Sequence, residues 1–133
     1  MTKVTGGCDC GNVRYEAEGE IDGAVSCHCK QCQKIHGIYK PMLVINKTDL
    51  KITEDSGLSW YESSPDNKRG FCKDCGSAIF KKPNDDAKAM SDKIMPSVGS
   101  LDDTTPWKNQ LNVFCKFKGE YYNMPDGEQK EIM

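Results

Sequence analysis

The spacing of eight cysteines constrains this chain more than any other feature. Seven of them fall in three short motifs: Cys8-x-Cys10, Cys27-x-Cys29-x-x-Cys32 and Cys72-x-x-Cys75. The opening segment "MTKVTGG" has no apolar signal core and no arginine-rich amphipathic helix, and no apolar run is long enough to span a membrane. The expected compartment is therefore the cytoplasm. Cysteines kept reduced there, at this spacing, point to metal binding rather than to disulfides.

Two of the motifs complement each other. Cys72 and Cys75 lie in "FCKDCGSAIF", a knuckle in which the chain turns tightly and Gly76 supplies the positive φ such a turn needs. Cys8 and Cys10 lie in "GGCDCGN", again followed by glycine. Four thiolates from two pairs make a closed tetrahedral zinc site, with Zn–S near ~2.3 Å. Such a site ties residue 8 to residue 75. Its binding free energy is then also folding free energy. The chain benefits from that, because its apolar content is 37% and its core is thin.

Cys27, Cys29 and Cys32 remain as three thiolates able to face a second zinc. Three candidates exist for a fourth protein ligand. His28 stands between two ligands and points away from them in an extended segment, exposed or hydrogen-bonded. His36 follows Cys32 by four residues and could reach the ion. Cys115 lies in "LNVFCKF", where alternation places Leu111, Val113, Cys115 and Phe117 on one strand face; a buried apolar cysteine is preferred there to a ligand or a nucleophile. An open fourth position is thus the favoured reading. Zinc with three thiolates carries a net negative charge and acidifies bound water less than a three-histidine site, so a soft sulfur ligand is the natural visitor.

Strand signals dominate the rest of the chain, in "NVRYEAE", "PMLVINK", "GLSWYES", "GSAIFKK" and "LNVFCKF". Turn chemistry separates them at "SSPDN", "KPNDD" and "MPDG". One short helix is expected after Cys29, through "KQCQKIHG", stopped by Gly37; "DDAKAMSDKI" reads as a second helix or a loop. With 133 residues, no repeats and no linker, residues 1–133 read as a single domain. The expected class is all-β, built of small antiparallel sheets whose loops carry the cysteines. The net charge of −2 disfavours a nucleic-acid partner.

The stretches "GGCDCGNVRYEAEGE", "SCHCKQC", "YESSPDNKRGFCKDCGSAIF" and "SVGSLDD", in this order, resemble the family of the glutathione-dependent formaldehyde-activating enzymes and centromere protein V. The likeness runs from about residue 3 to about residue 117. It implies a zinc-stapled fold of small sheets called the β-tent. It also implies two zinc ions, a structural one on Cys8, Cys10, Cys72 and Cys75 and an active-site one on Cys27, Cys29 and Cys32. The reaction it implies joins glutathione and formaldehyde into S-hydroxymethylglutathione, a carbon–sulfur lyase running in reverse.

Three functions follow as expectations. The first is a zinc-dependent carbon–sulfur lyase acting on a thiol adduct, with glutathione as the thiol and a small aldehyde. Lys30, Lys34 or Arg69 would then meet the carboxylates of an anionic thiol, although each reads first as a solvated surface charge. The second is a non-catalytic zinc-binding interaction module. The third is a redox enzyme using Cys115, which requires that thiol to be exposed and acidified.

Overall fold

The computed structural model describes residues 1–133. Strands follow one another along the chain as β1 (Thr2–Gly7), β2 (Arg14–Gly19) and β3 (Ala24–Cys27), then the single helix α1 (Lys30–His36). After it come β4 (Lys40–Met42), β5 (Ile45–Asn46), β6 (Leu50–Glu54), β7 (Leu58–Ser64), β8 (Asn67–Cys72), β9 (Ala78–Pro83), β10 (Lys93–Pro96), β11 (Asn109–Val113) and β12 (Glu128–Gln129). They form three small sheets, ordered β1-β2-β6, β5-β10-β9-β8-β7 and β12-β11-β3-β4. The all-β expectation is borne out.

The alternation read in "NVRYEAE" is real: Val13, Tyr15 and Ala17 are buried and pack with Val4 of β1, Leu43, Ile79, Phe80 and Leu101 in the larger core. Cys8 and Cys72 belong to this core too. The Pro65-Asp66 turn of "SSPDN" joins β7 to β8 in an antiparallel hairpin. α1 starts with Cys29 as its N-cap, whose sulfur accepts from the Cys32 N–H, and ends at Gly37 with φ 93°.

Three details differ from the sequence reading, and one open alternative is decided. The run "PMLVINK" is not one strand. β4 pairs with β3 and β5 with β10, so the chain leaves one sheet at Leu43 and enters another. The third sheet is mixed, because β11 lies parallel to both β3 and β12; the chain reaches β11 through a long connection that returns in the same direction. Of the two alternatives for "DDAKAMSDKI", the loop holds: the segment forms turns that lead into β10, with Met90 left-handed at φ 59°. Finally, "LNVFCKF" stops being a strand at Val113. Phe114 turns through φ 56° and Cys115–Phe117 make one 3-10 turn, so Cys115 and Phe117 do not share the face of Val113. The N–H groups of Phe114 and Cys115 donate to the carbonyls of Ile132 and Lys130 instead of continuing the ladder. Cys115 is half-buried rather than buried, and its thiol lies 3.4 Å from the Asn112 carbonyl.

Candidate metal centres

Cys8, Cys10, Cys72 and Cys75 converge, with all four sulfurs within 4.8 Å of one another. The pairs Cys8–Cys10 and Cys10–Cys72 are each 3.7 Å apart. A tetrahedron with Zn–S near ~2.3 Å has an edge of ~3.8 Å, whereas a disulfide closes to ~2.0 Å, so the spacing matches ligands around one ion. Local structure explains the convergence. Cys8 and Cys10 sit in a turn rather than in an extended segment, with the Val13 N–H donating to the Cys8 sulfur at 3.2 Å. Cys72 ends β8, and the Gly76 N–H closes the knuckle onto the Cys72 carbonyl at 2.7 Å, with Gly76 at φ 80°. Ser77 lies 3.2 Å from the Cys75 sulfur.

Cys27, Cys29 and Cys32 form the second group, also within 4.8 Å. Cys27 closes β3, Cys29 caps α1, and Cys32 lies in the first turn of the helix; Cys27 and Cys32 are fully buried. No further His, Cys, Asp or Glu joins the three. Crowding splits their acidities. Contacts with Cys29 and Cys32, then burial, push Cys27 far above the ordinary thiol value, while Cys27 and Cys32 draw Cys29 well below it. Three thiols this close repel one another once ionised, so ionising them together takes a cation. The donor set therefore fits a soft divalent ion.

None of the three candidates for a fourth ligand joins the trio. His28 is fully buried, with Nδ1 2.8 Å from the Tyr122 hydroxyl and Nε2 2.9 Å from Asn112 Oδ1. Both ring nitrogens are thus engaged, as the hydrogen-bonded alternative expected. His36 ends α1 and is half-buried; burial, with Lys40 and Arg69 nearby, pushes it down to about 3. Cys115 lies on the 3-10 turn described above.

Arg69 corrects the sequence reading most sharply. It is 5% exposed and not a solvated surface charge. Its Nη2 donates to Gln31 Oε1 at 2.9 Å and to the Cys32 sulfur at 3.5 Å, while Nη1 is buried without a partner. Lys40, which the sequence reading passed over, is also buried and donates to Ser97 Oγ at 2.8 Å. Burial, reinforced by Arg69, pushes it down to about 7. A buried guanidinium and a buried amine near three thiols suit a negatively charged metal–thiolate group, whose charge favours the protonated amine. One signal for Arg69 was available: it immediately precedes Gly-Phe-Cys in a strand paired on both edges. Nothing marked Lys40, whose burial depends on Ser97 from a distant segment. Lys30 and Lys34 behave as surface residues on α1.

Two cavities flank the centres. One of about 860 Å3 is polar and is lined by Cys8, Arg14, His36, Tyr39, Ser97 and Asp102, with no member of the trio. The other, of about 410 Å3, is mostly apolar and includes Cys27. Of the two, the second bears on chemistry at the trio, because Cys27 is part of its lining.

Fold and site together define a small β-sheet protein with two cysteine clusters suited to metal, compatible with zinc. The model of the family described as "Glutathione-dependent formaldehyde-activating enzyme" matches residues 3–117, and the chain belongs to that family. No curated protein matches it. Among solved structures, the chain is similar to a Rhodobacter sphaeroides protein, at 22% identity and a TM-score of 0.60, over 74% of this chain and 87% of that one. At that identity the likeness speaks for the fold alone. No helix is long and apolar enough to cross a membrane.

Proposed function

We propose that this protein is a zinc-dependent carbon–sulfur lyase acting on a thiol adduct, of the kind glutathione forms with a small aldehyde. One observation carries the reading: three converging thiols with no fourth protein donor, one of them on a residue that lines a cavity. Family membership supports the substrate class. Cys8, Cys10, Cys72 and Cys75 would hold a structural zinc within one domain, and Cys27, Cys29 and Cys32 a second. Zinc at the trio supplies a soft Lewis acid with a position for a substrate sulfur.

The protein's own groups do the rest. Arg69 holds the Cys32 sulfur in place through Nη2 and offsets the negative charge of the thiolates. In the synthetic direction the thiol sulfur bonds to the aldehyde carbon and the thiol proton passes to the carbonyl oxygen; the reverse breaks the same bond. The reduced thiols suit a cytoplasmic setting.

The test is exchange spectroscopy on the zinc-loaded protein with glutathione and formaldehyde. Acceleration of adduct formation over the spontaneous rate, lost in Cys29→Ser with the fold retained, supports the reading. A cobalt-substituted protein should change its absorption when thiol is added. If no thiol and aldehyde pair reacts faster and the cobalt spectrum ignores every thiol, the reading fails.

A further inference from the structure

The geometry points to an apolar subsite beside Cys27 that receives the carbon chain or ring of an aldehyde larger than formaldehyde. This rests on the lyase reading and names its substrate class. The cavity of about 410 Å3 lies between two sheets. Val25, Cys27, Met42, Leu111 and Val113 line one wall, and Met95 belongs to the opposite one. The pairing explains the alignment: Val25 and Cys27 are two residues apart on β3, Val25 stands opposite Met42 and Leu111, and Cys27 opposite Val113. Across the gap, Lys81 pairs with both Met95 and Arg69, so the row that forms the far wall also carries the guanidinium touching Cys32. Cavity and thiol cluster thus occupy one interlayer space.

The lining decides the class of ligand. Eleven of its 15 residues are hydrophobic, and its only charged members are Lys81 and Lys130. It therefore favours a neutral or anionic apolar group and disfavours an amine. The methionines give walls that adapt to shape. Met90 and Phe114, the two non-glycine residues of the chain with positive φ, both line it. Held strain of this kind concentrates at ligand clamps. Formaldehyde brings a single carbon and leaves such a space unfilled. An aliphatic or aromatic aldehyde fills it while its carbonyl carbon faces the sulfur of the substrate thiol held at the trio. Atoms balance as before: the C–S bond forms and the thiol proton goes to the carbonyl oxygen.

The experiment has two arms on the zinc-loaded full chain. In the first, methyl-labelled methionine is followed by NMR during titration with benzyl mercaptan. Saturable shifts of Met42, Met90 and Met95 are expected, and no shift at these methyls overturns the subsite. In the second, glutathione with pentanal is compared with glutathione and formaldehyde. The pentanal adduct should have the higher kcat/KM, by about tenfold or more, and Met90→Trp should lower that ratio. Faster formaldehyde turnover with silent methyls sinks the subsite and leaves the lyase reading standing. Saturable methyl shifts with no turnover of either adduct keep the apolar site and sink the lyase reading.

Discussion

Arg69 Nη2 donates to the Cys32 sulfur across 3.5 Å, joining β8 to the first turn of α1. Arg69 leaves Nη1 unpaired inside the protein, so burial of this residue is costly unless the thiol it faces carries negative charge. The contact makes sense with ionised cysteines around a cation. Arg69→Gln should therefore weaken metal retention at the trio by about 10–100-fold, the usual range for a group that supports a ligand from behind. Competition against a graded chelator measures this. Equal retention in both proteins would reduce Arg69 to a packing residue.

The quartet should behave differently. Cys10 and Cys72 are 62 positions apart, and Cys8 and Cys72 belong to the larger core. Cys72→Ser should release one metal ion and cost most of the stability, seen as a lost thermal midpoint or aggregation. Cys29→Ser, at the end of a short helix, should release the other ion and keep the far-ultraviolet spectrum. A soluble Cys72→Ser protein with the wild-type midpoint would contradict the structural role.

Tyr15 carries an alkaline signature. It is 1% exposed, and its hydroxyl shares a 2.6 Å hydrogen bond with Ser100. Burial pushes the phenol up to about 12 from the usual 10, with the Ser100 hydrogen bond pulling the other way. A folded value above the unfolded one means stability that is complete below pH 10 and fades as the pH climbs towards about 12. Two units correspond to about 3 kcal/mol. The wild type should lose stability more steeply than Tyr15→Phe across that window in denaturant titrations, and parallel slopes would refute the assignment.

Cys115 is half-buried and stands outside both clusters. In the metal-loaded protein it should be the first thiol to react with an alkylating reagent, ahead of the seven clustered cysteines. Cys115→Ala should change stability by about 1 kcal/mol or less and leave lyase activity intact. Loss of activity on that substitution would revive the redox reading.

Much of this was legible because ligand spacing is local. Cys72-x-x-Cys75 with Gly76, and Cys29 capping the helix over Cys32, are settled by a few neighbouring residues. The buried alternation of Val13, Tyr15 and Ala17 was equally readable. What escaped depends on distant partners. The face of Cys115 was misassigned because Phe114 turns left-handed where the C-terminal segment supplies hydrogen bonds. Arg69 and Lys40 look like surface charges until Gln31, Cys32 and Ser97 are brought against them. The apolar cavity could not be foreseen, since it exists only where two sheets face each other.

The trio draws on one short stretch, 27–32, whereas Ser26 meets Asn109 across 83 positions and Cys10 meets Cys72 across 62. Loop closure over such distances is slow compared with a helical turn. As the chain emerges during synthesis, the trio is complete before β7 exists. The quartet waits for Cys75, and the sheet holding β3 waits for β11. A metal ion that binds at that stage meets the trio first, because its three thiols need only six consecutive residues while the fold's other metal cross-link awaits chain not yet made.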